Sequence, residues 1–159
     1  MTNHIDPDSF GFLIADLSRL IRAEIDRRIA DSGVGVTAGE ARTLAHAARA
    51  GAVRQNVLAE RMGVEAMTLS VFLDKLEARG LIERRPDPAD RRAKLVTLTA
   101  RADRVLAVVA RASAEVRMHA AAPFEPEEWE RLLKMLKEIR IKLSNARAAN
   151  EVTDKTSVA

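Results

Sequence analysis

Two arginines beside a proline-stiffened turn are suited to one kind of chemistry, holding an anion. In RRPDPADRRAKLVTLT, residues 84–99, Pro86, Asp87, Pro88, Ala89 and Asp90 lead directly into Arg91 and Arg92. A guanidinium offers a rigid fork of donors that matches phosphate oxygens. It is also drawn to the narrow minor groove of A·T-rich DNA, where negative potential is concentrated. Asp90 has a role beside such a pair, because a carboxylate can hold a guanidinium by paired hydrogen bonds and set its direction. On this reading Asp90 orients Arg92. Arg84, Arg85 and Lys94 flank the turn, where they touch phosphates or balance local charge. The plain alternative is a solvated charged turn.

What precedes the turn decides between these readings. LIERR and KLVTL are strand-like, with PDPADRRA as the loop between them, because proline does not belong in a central strand. Before them, RQNVLAERMGVEAMTLSVFLDKLEARG reads as two helices with a glycine at the bend. One runs from about Asn56 to Met62 and the other from about Glu65 to Arg79, and the joint is Gly63. This is a helix-turn-helix pattern, and with the hairpin it makes a winged helix. The second helix buries Leu69, Phe72, Leu73 and Leu76 on one face. Its opposite face carries Met67, Val71, Asp74 and Ala78, flanked by Thr68, Ser70 and Lys75. In a major groove Thr68 and Ser70 can hydrogen-bond to base edges, Met67 and Val71 can pack on thymine methyls, and Lys75 suits a phosphate. Otherwise Thr68 and Ser70 are ordinary exposed helix residues.

These residues carry a resemblance. LAERMGV, LDKLEARGLIERR and DPADRRAKLVTLT follow one another as LAxxL, LxxLExxGLIxR and DPxDRRxxxVxLT do in the MarR family of bacterial transcription regulators. The helical arms on either side resemble the family as well. The resemblance implies a homodimer on a near-palindromic operator in double-stranded DNA, with Arg92 as the residue that enters the minor groove. It also implies repression relieved by a small, commonly aromatic ligand. The sequence departs from the pattern at Val71, where several members carry an arginine that reads guanine. Specificity then falls more to the wing and to DNA shape.

The elements that position these residues are helical. Phe10, Leu13, Ile14, Leu17, Leu20, Ile21, Ile25 and Ile29 recur at helical spacing over residues 9–31, with Asp8 or Ser9 able to cap the start. Thr37 and Glu40 form a capping box that opens the next helix. After the hairpin, Thr99 opens a helix to about 121, and Pro126 sits in the first turn of a last helix carrying Trp129, Leu132, Leu133, Leu136, Ile139 and Leu143. The fold class is therefore mainly α with a small β-hairpin, a winged helix-turn-helix lobe plus a helical dimerisation lobe. The expected divisions are an N-terminal dimerisation arm at 1–35, the DNA-binding domain at 36–99, dimerisation helices at 100–148 and a frayed polar tail at 149–159. The terminal helices hold more apolar surface than the small lobe covers. They either interlock with a second copy or fold back on their own lobe.

Composition narrows the function. Net charge is +3, yet Lys75–Arg104 alone carries nine Lys/Arg against five Asp/Glu, so the remainder is nearly neutral. A basic segment on a neutral body suits one anionic contact, although a solvated charged surface has the same composition. The absence of cysteine removes disulfide frameworks, thiolate zinc sites and thiol redox sensing. His4, His46 and His119 are dispersed, so no metal site and no cofactor are expected. MTNHIDPDSFGFLIADL lacks the pattern of a secretory signal, no apolar run has membrane-spanning length, and a cytoplasmic location is expected. No nucleophile–base arrangement, phosphate-cradling glycine loop or paired carboxylate argues for an enzyme. The effector crevice implied by the resemblance would draw on Phe12, Leu13, Asp16, His46 and Arg49, each of which also reads as an ordinary packing or surface residue. The other DNA-binding reading is a constitutive or architectural protein without a ligand switch.

Overall fold

The computed structural model describes residues 6–156, with side chains through residue 146. His4 and the end of the expected tail, 157–159, lie outside the described residues. Six helices and three strands follow in the order α1 (Phe10–Asp31), α2 (Ala38–Ala50), β1 (Val53–Arg54), α3 (Gln55–Met62), α4 (Ala66–Ala78), β2 (Ile82–Asp87), β3 (Asp90–Leu98), α5 (Asp103–Ala121) and α6 (Pro126–Thr156). A short 3₁₀ turn at Ala100–Ala102 leads into α5. Two compact units result, residues 1–116 and residues 117–159.

The first unit is built around the helix-turn-helix. Thr37 accepts from the Glu40 amide, and the Glu40 carboxylate accepts from the Thr37 amide at 2.9 Å, so the capping box opens α2. Gly63, at φ +64°, ends α3 in the left-handed conformation that a side chain resists. Leu58, Leu69, Leu73 and Leu76 are fully buried with Leu44, Ile82 and Val96, which places the core between α2, α3, α4 and the sheet. Burying a leucine contributes about 1.5–3 kcal/mol, so this cluster sets the angle between α3 and α4. The apolar stripe of α1 behaves differently. Ile29 is buried and Ile25 half-buried, but Phe10, Phe12, Leu13, Ile14, Leu17, Leu20 and Ile21 are 38–55% exposed. Ser9 occupies the N-cap position of α1 without a side-chain cap bond, so the expected cap is absent.

The sheet corrects the expected hairpin in two ways. It has a third strand, since β1 pairs with β3 (Val53↔Val96, Arg54↔Leu95), and the order is β1-β3-β2. The strands also run beyond LIERR and KLVTL, through Asp87 on one side and back to Asp90 on the other, around a turn at Pro88-Ala89. Pro86 is tolerated because β2 is an edge strand, where one missing N–H need not break a ladder. Pro86 pairs with Lys94 but Asp87 pairs with Asp90. Arg91, Arg92 and Ala93 therefore have no partners across the ladder and form a bulge, which re-aims side chains out of the sheet.

In the second unit the ring of Trp129 lies 6.0 Å from that of Phe124. Its last helix extends to Thr156, beyond the 149 boundary drawn from composition. No helix among the described residues is long and apolar enough to cross a membrane.

One contact fixes how closely α2 approaches α4. A Cβ on Gly39 would stand 2.5 Å from Cζ of Phe72. Gly39→Ala should destabilise the protein by about 1–2 kcal/mol, overpacking outweighing the better helix propensity of alanine. Urea unfolding measures this, and Phe72→Leu in the same chain should recover most of the loss.

Candidate nucleic-acid interface

Helix α4 and the wing form the walls of one open groove of about 520 Å³. Ala66 and Ser70 come from α4, Gln55 and Asn56 from the start of α3, and Asp90, Arg92 and Lys94 from the wing. Neither α3 nor α4 has a side-chain cap bond at its N-terminus. Their first amides are therefore free to meet an anion.

Two charged contacts set the walls. Arg84 on β2 donates from Nε to Glu77 Oε2 at 3.0 Å and from Nη2 to Asp74 Oδ1 at 2.7 Å. Its backbone amide donates to Glu77 Oε1 at 3.0 Å, so one carboxylate of α4 grips both the backbone and the side chain of the wing strand. The Arg84 guanidinium holds the Glu77 carboxyl below the usual carboxylate range, and Glu77 in turn raises Arg84. The second contact holds the turn. Asp87, 7% exposed, accepts from the Ala89 amide at 2.8 Å and from Arg54 Nε at 2.6 Å. These donors, the Ala89 amide foremost, keep its carboxyl below the usual aspartate range. Arg54 is both the end of β1 and the N-cap position of α3. The pair therefore ties the wing turn to the first helix of the helix-turn-helix.

The residues singled out in the sequence take distinct positions. Met67, Thr68 and Val71 are exposed on α4, Met67 to 82%, while Ser70 is half-buried in the groove wall. Lys75 is exposed, with Nζ 4.0 Å from Glu40 Oε1. Arg91, Arg92 and Lys94 are exposed and make no side-chain hydrogen bond or ion pair with another described residue. Two expectations are corrected. Arg84 has a side chain only 14% exposed and is consumed by Glu77 and Asp74, so it braces the wing and is not presented to a phosphate. Asp90 accepts from the backbone amide of Arg92 at 3.0 Å, not from its guanidinium. A short carboxylate readily reaches the amide two residues on, so Asp90 shapes the bulge and leaves the Arg92 side chain unpaired. Arg54, Asp87 and Glu77 were missed. Only the DP dipeptide hinted at a turn-forming aspartate, and nothing in the sequence pairs positions 54 and 87.

The expected effector residues spread along two helices. Phe12, Leu13 and Asp16 lie on the exposed length of α1, where Asp16 pairs with Arg19 at 3.2 Å. His46 and Arg49 lie on α2. Burial lowers the pKa of His46, helped by the cations Arg49, Arg22, Arg42 and Arg61. Arg42 itself pairs with Asp26 of α1. Among the described residues no group of three or more His, Asp or Glu is arranged to hold a metal ion.

Comparison with known proteins gives a consistent picture. A family model described as the MarR family matches residues 36–94. The solved structure of transcriptional regulator PA3341 is 36% identical and superposes with a TM-score of 0.71, over 86% of this chain and 99% of that one. A structure of MarR gives a TM-score of 0.77 at 23% identity, over 92% and 99% of the two chains. A MarR transcriptional regulator from Methanosarcina mazei Go1 gives 0.73 at 20% identity, over 85% and 96%.

Arg84→Ala strands two carboxylates and loosens the wing. It should cost about 2 kcal/mol in urea unfolding, the scale of hydrogen bonds to charged groups. A loss within error of zero would show that Arg84 is no brace. His46 gives a pH signature. Its folded pKa lies below the ordinary 6.5, so its contribution is fully present above 6.5 and is lost as pH falls towards the folded value. His46→Gln should flatten the slope of stability against pH in that window.

Proposed function

This chain belongs to the MarR family of transcription regulators, and we propose that it acts as a homodimer that recognises a near-palindromic operator and represses until a small ligand releases it. The observation that carries the DNA reading is the groove itself. The exposed wing cations Arg92 and Lys94, with Arg91 exposed next to them in the chain, and Ala66 and Ser70 of α4 line one opening, with Arg84 tying the wing to α4. In this reading α4 enters the major groove, the bulged arginines reach the adjacent minor groove, and the free amides of α3 meet the backbone between them.

The apolar face of α1 supports the homodimer. A row of large side chains from Phe10 to Ile21 stands open, in contrast to the buried core of the first unit. Phe124, Met135, Ile141 and Leu143 in the second unit are equally open. Contiguous apolar surface of this extent is normally covered by a partner. The ligand switch has slighter support. Arg49, Arg22 and Arg61 near the half-buried His46 favour an anionic compound there, Arg42 being paired with Asp26. A cytoplasmic location follows from this function.

The test is fluorescence-polarisation binding to the DNA upstream of the chain's own gene, against a scrambled duplex, across salt concentrations. The operator should be preferred by about 10³ or more. Arg91→Ala with Arg92→Ala should weaken binding at least tenfold and reduce the salt slope by about 2, roughly one per lost cation. Equal binding to both duplexes would favour an architectural role. No binding at low salt would overturn the DNA reading.

A further inference from the structure

We propose that α4 reads the C5-methyl groups of pyrimidines, so that this chain distinguishes thymine from uracil and accepts 5-methylcytosine where it accepts thymine. The inference rests on the reading of α4 as the major-groove helix and deepens it.

The first support is what α4 lacks. Helix Ala66–Ala78 contains no arginine, asparagine or glutamine. The paired hydrogen bonds that identify guanine by O6 and N7, or adenine by N6 and N7, therefore have no donor at its groove-facing end. The second support is where the charges of α4 go. Asp74, the exposed carboxylate on the outward face, lies in the C-terminal half of the helix, away from the end that meets the bases, and its Oδ1 is taken by Arg84 at 2.7 Å. Glu77 is held by the same guanidinium. Lys75 lies in the last turn, leaning towards Glu40, whereas the N-terminal half of such a helix meets the bases. Arg79, just past the helix, is drawn back to Glu40 at 3.6 Å and to the Gly35 carbonyl.

The large side chains left exposed on the N-terminal half of α4 are apolar. Met67 is 82% exposed and Val71 47% exposed, four residues apart and so on one face. The C5-methyl of thymine is the apolar feature of the major groove, and 5-methylcytosine presents the same group at the same ring position. Methionine adapts its shape to such a target, and valine adds a stiff wall beside it. The neighbouring Thr68 hydroxyl is at once donor and acceptor, so it helps position the helix without choosing a base.

The experiment selects an operator from random-sequence duplexes with the full-length chain, then rebuilds it with deoxyuridine replacing thymidine one position at a time. Deoxyuridine removes only the major-groove methyl and leaves the minor-groove acceptors seen by the wing. At positions facing α4, each lost methyl should weaken binding about fourfold, the burial value of one such group. Replacing the same base pair with dC·dG should weaken binding, and 5-methyl-dC there should recover about fourfold. Met67→Ala with Val71→Ala, both at exposed positions outside the core, should bind thymidine and deoxyuridine duplexes equally. Steep salt-dependent operator binding with no uridine effect overturns the methyl reading and leaves the DNA-binding reading intact. Discrimination that survives in the double variant overturns the assignment to these two residues. Failure to enrich any sequence overturns both readings.

Discussion

A guanidinium that is largely withdrawn from water cannot stay unpaired, and Arg84 is in that position. Desolvating a charge costs several kcal/mol unless partners replace the lost water. Glu77 and Asp74 supply them, and both belong to α4 while Arg84 belongs to β2. The relative placement of helix and wing is therefore set by an electrostatic demand as well as by the leucine core. The same contact offsets one of the two negative charges that Asp74 and Glu77 place on α4. A carboxylate left free there would repel phosphates. Held by Arg84, it is partly neutralised, while Arg91 and Arg92 of the wing stay exposed.

The Asp87–Arg54 pair works on the same principle one layer out. Asp87 closes the turn through the Ala89 amide and reaches Arg54 at the start of α3. Next to it, the register break after Pro86 takes Arg91 and Arg92 out of the ladder. The sheet supplies a stiff base and the bulge frees the side chains. A regular strand would have pointed the two arginines to opposite faces.

At the same C-terminal end of α4, Lys75 and Arg79 face Glu40, which caps α2. Gly39 lets the Phe72 ring lie against the same turn. The start of α2 therefore touches α4 through charge and through packing. Arg42 joins α2 to Asp26 of α1. A chain of direct contacts thus runs from the exposed apolar helix α1 to α4 within the first unit.

Much of this was legible in the residues alone, for local reasons. Helical spacing of apolar residues, the Thr37–Glu40 capping box and the glycine at 63 specify α1 to α4 through interactions a few residues long. The DPADRR motif marked the wing for the same reason. Charge type and exposure singled out Arg91, Arg92, Met67 and Val71 without coordinates. Partnerships between distant positions were not legible. β1 is two residues long and exists only because β3 lies beside it. Arg84 looked like one more surface cation, and only the approach of α4 turned it into a brace. Asp90 was the right residue with the wrong partner, because the choice between an amide and a guanidinium depends on how the bulge folds. The sequence by itself determined which elements form and which side chains can meet an anion. Tertiary structure decided which charges are consumed inside the fold and which remain free, since pairing depends on distances that chain order does not encode.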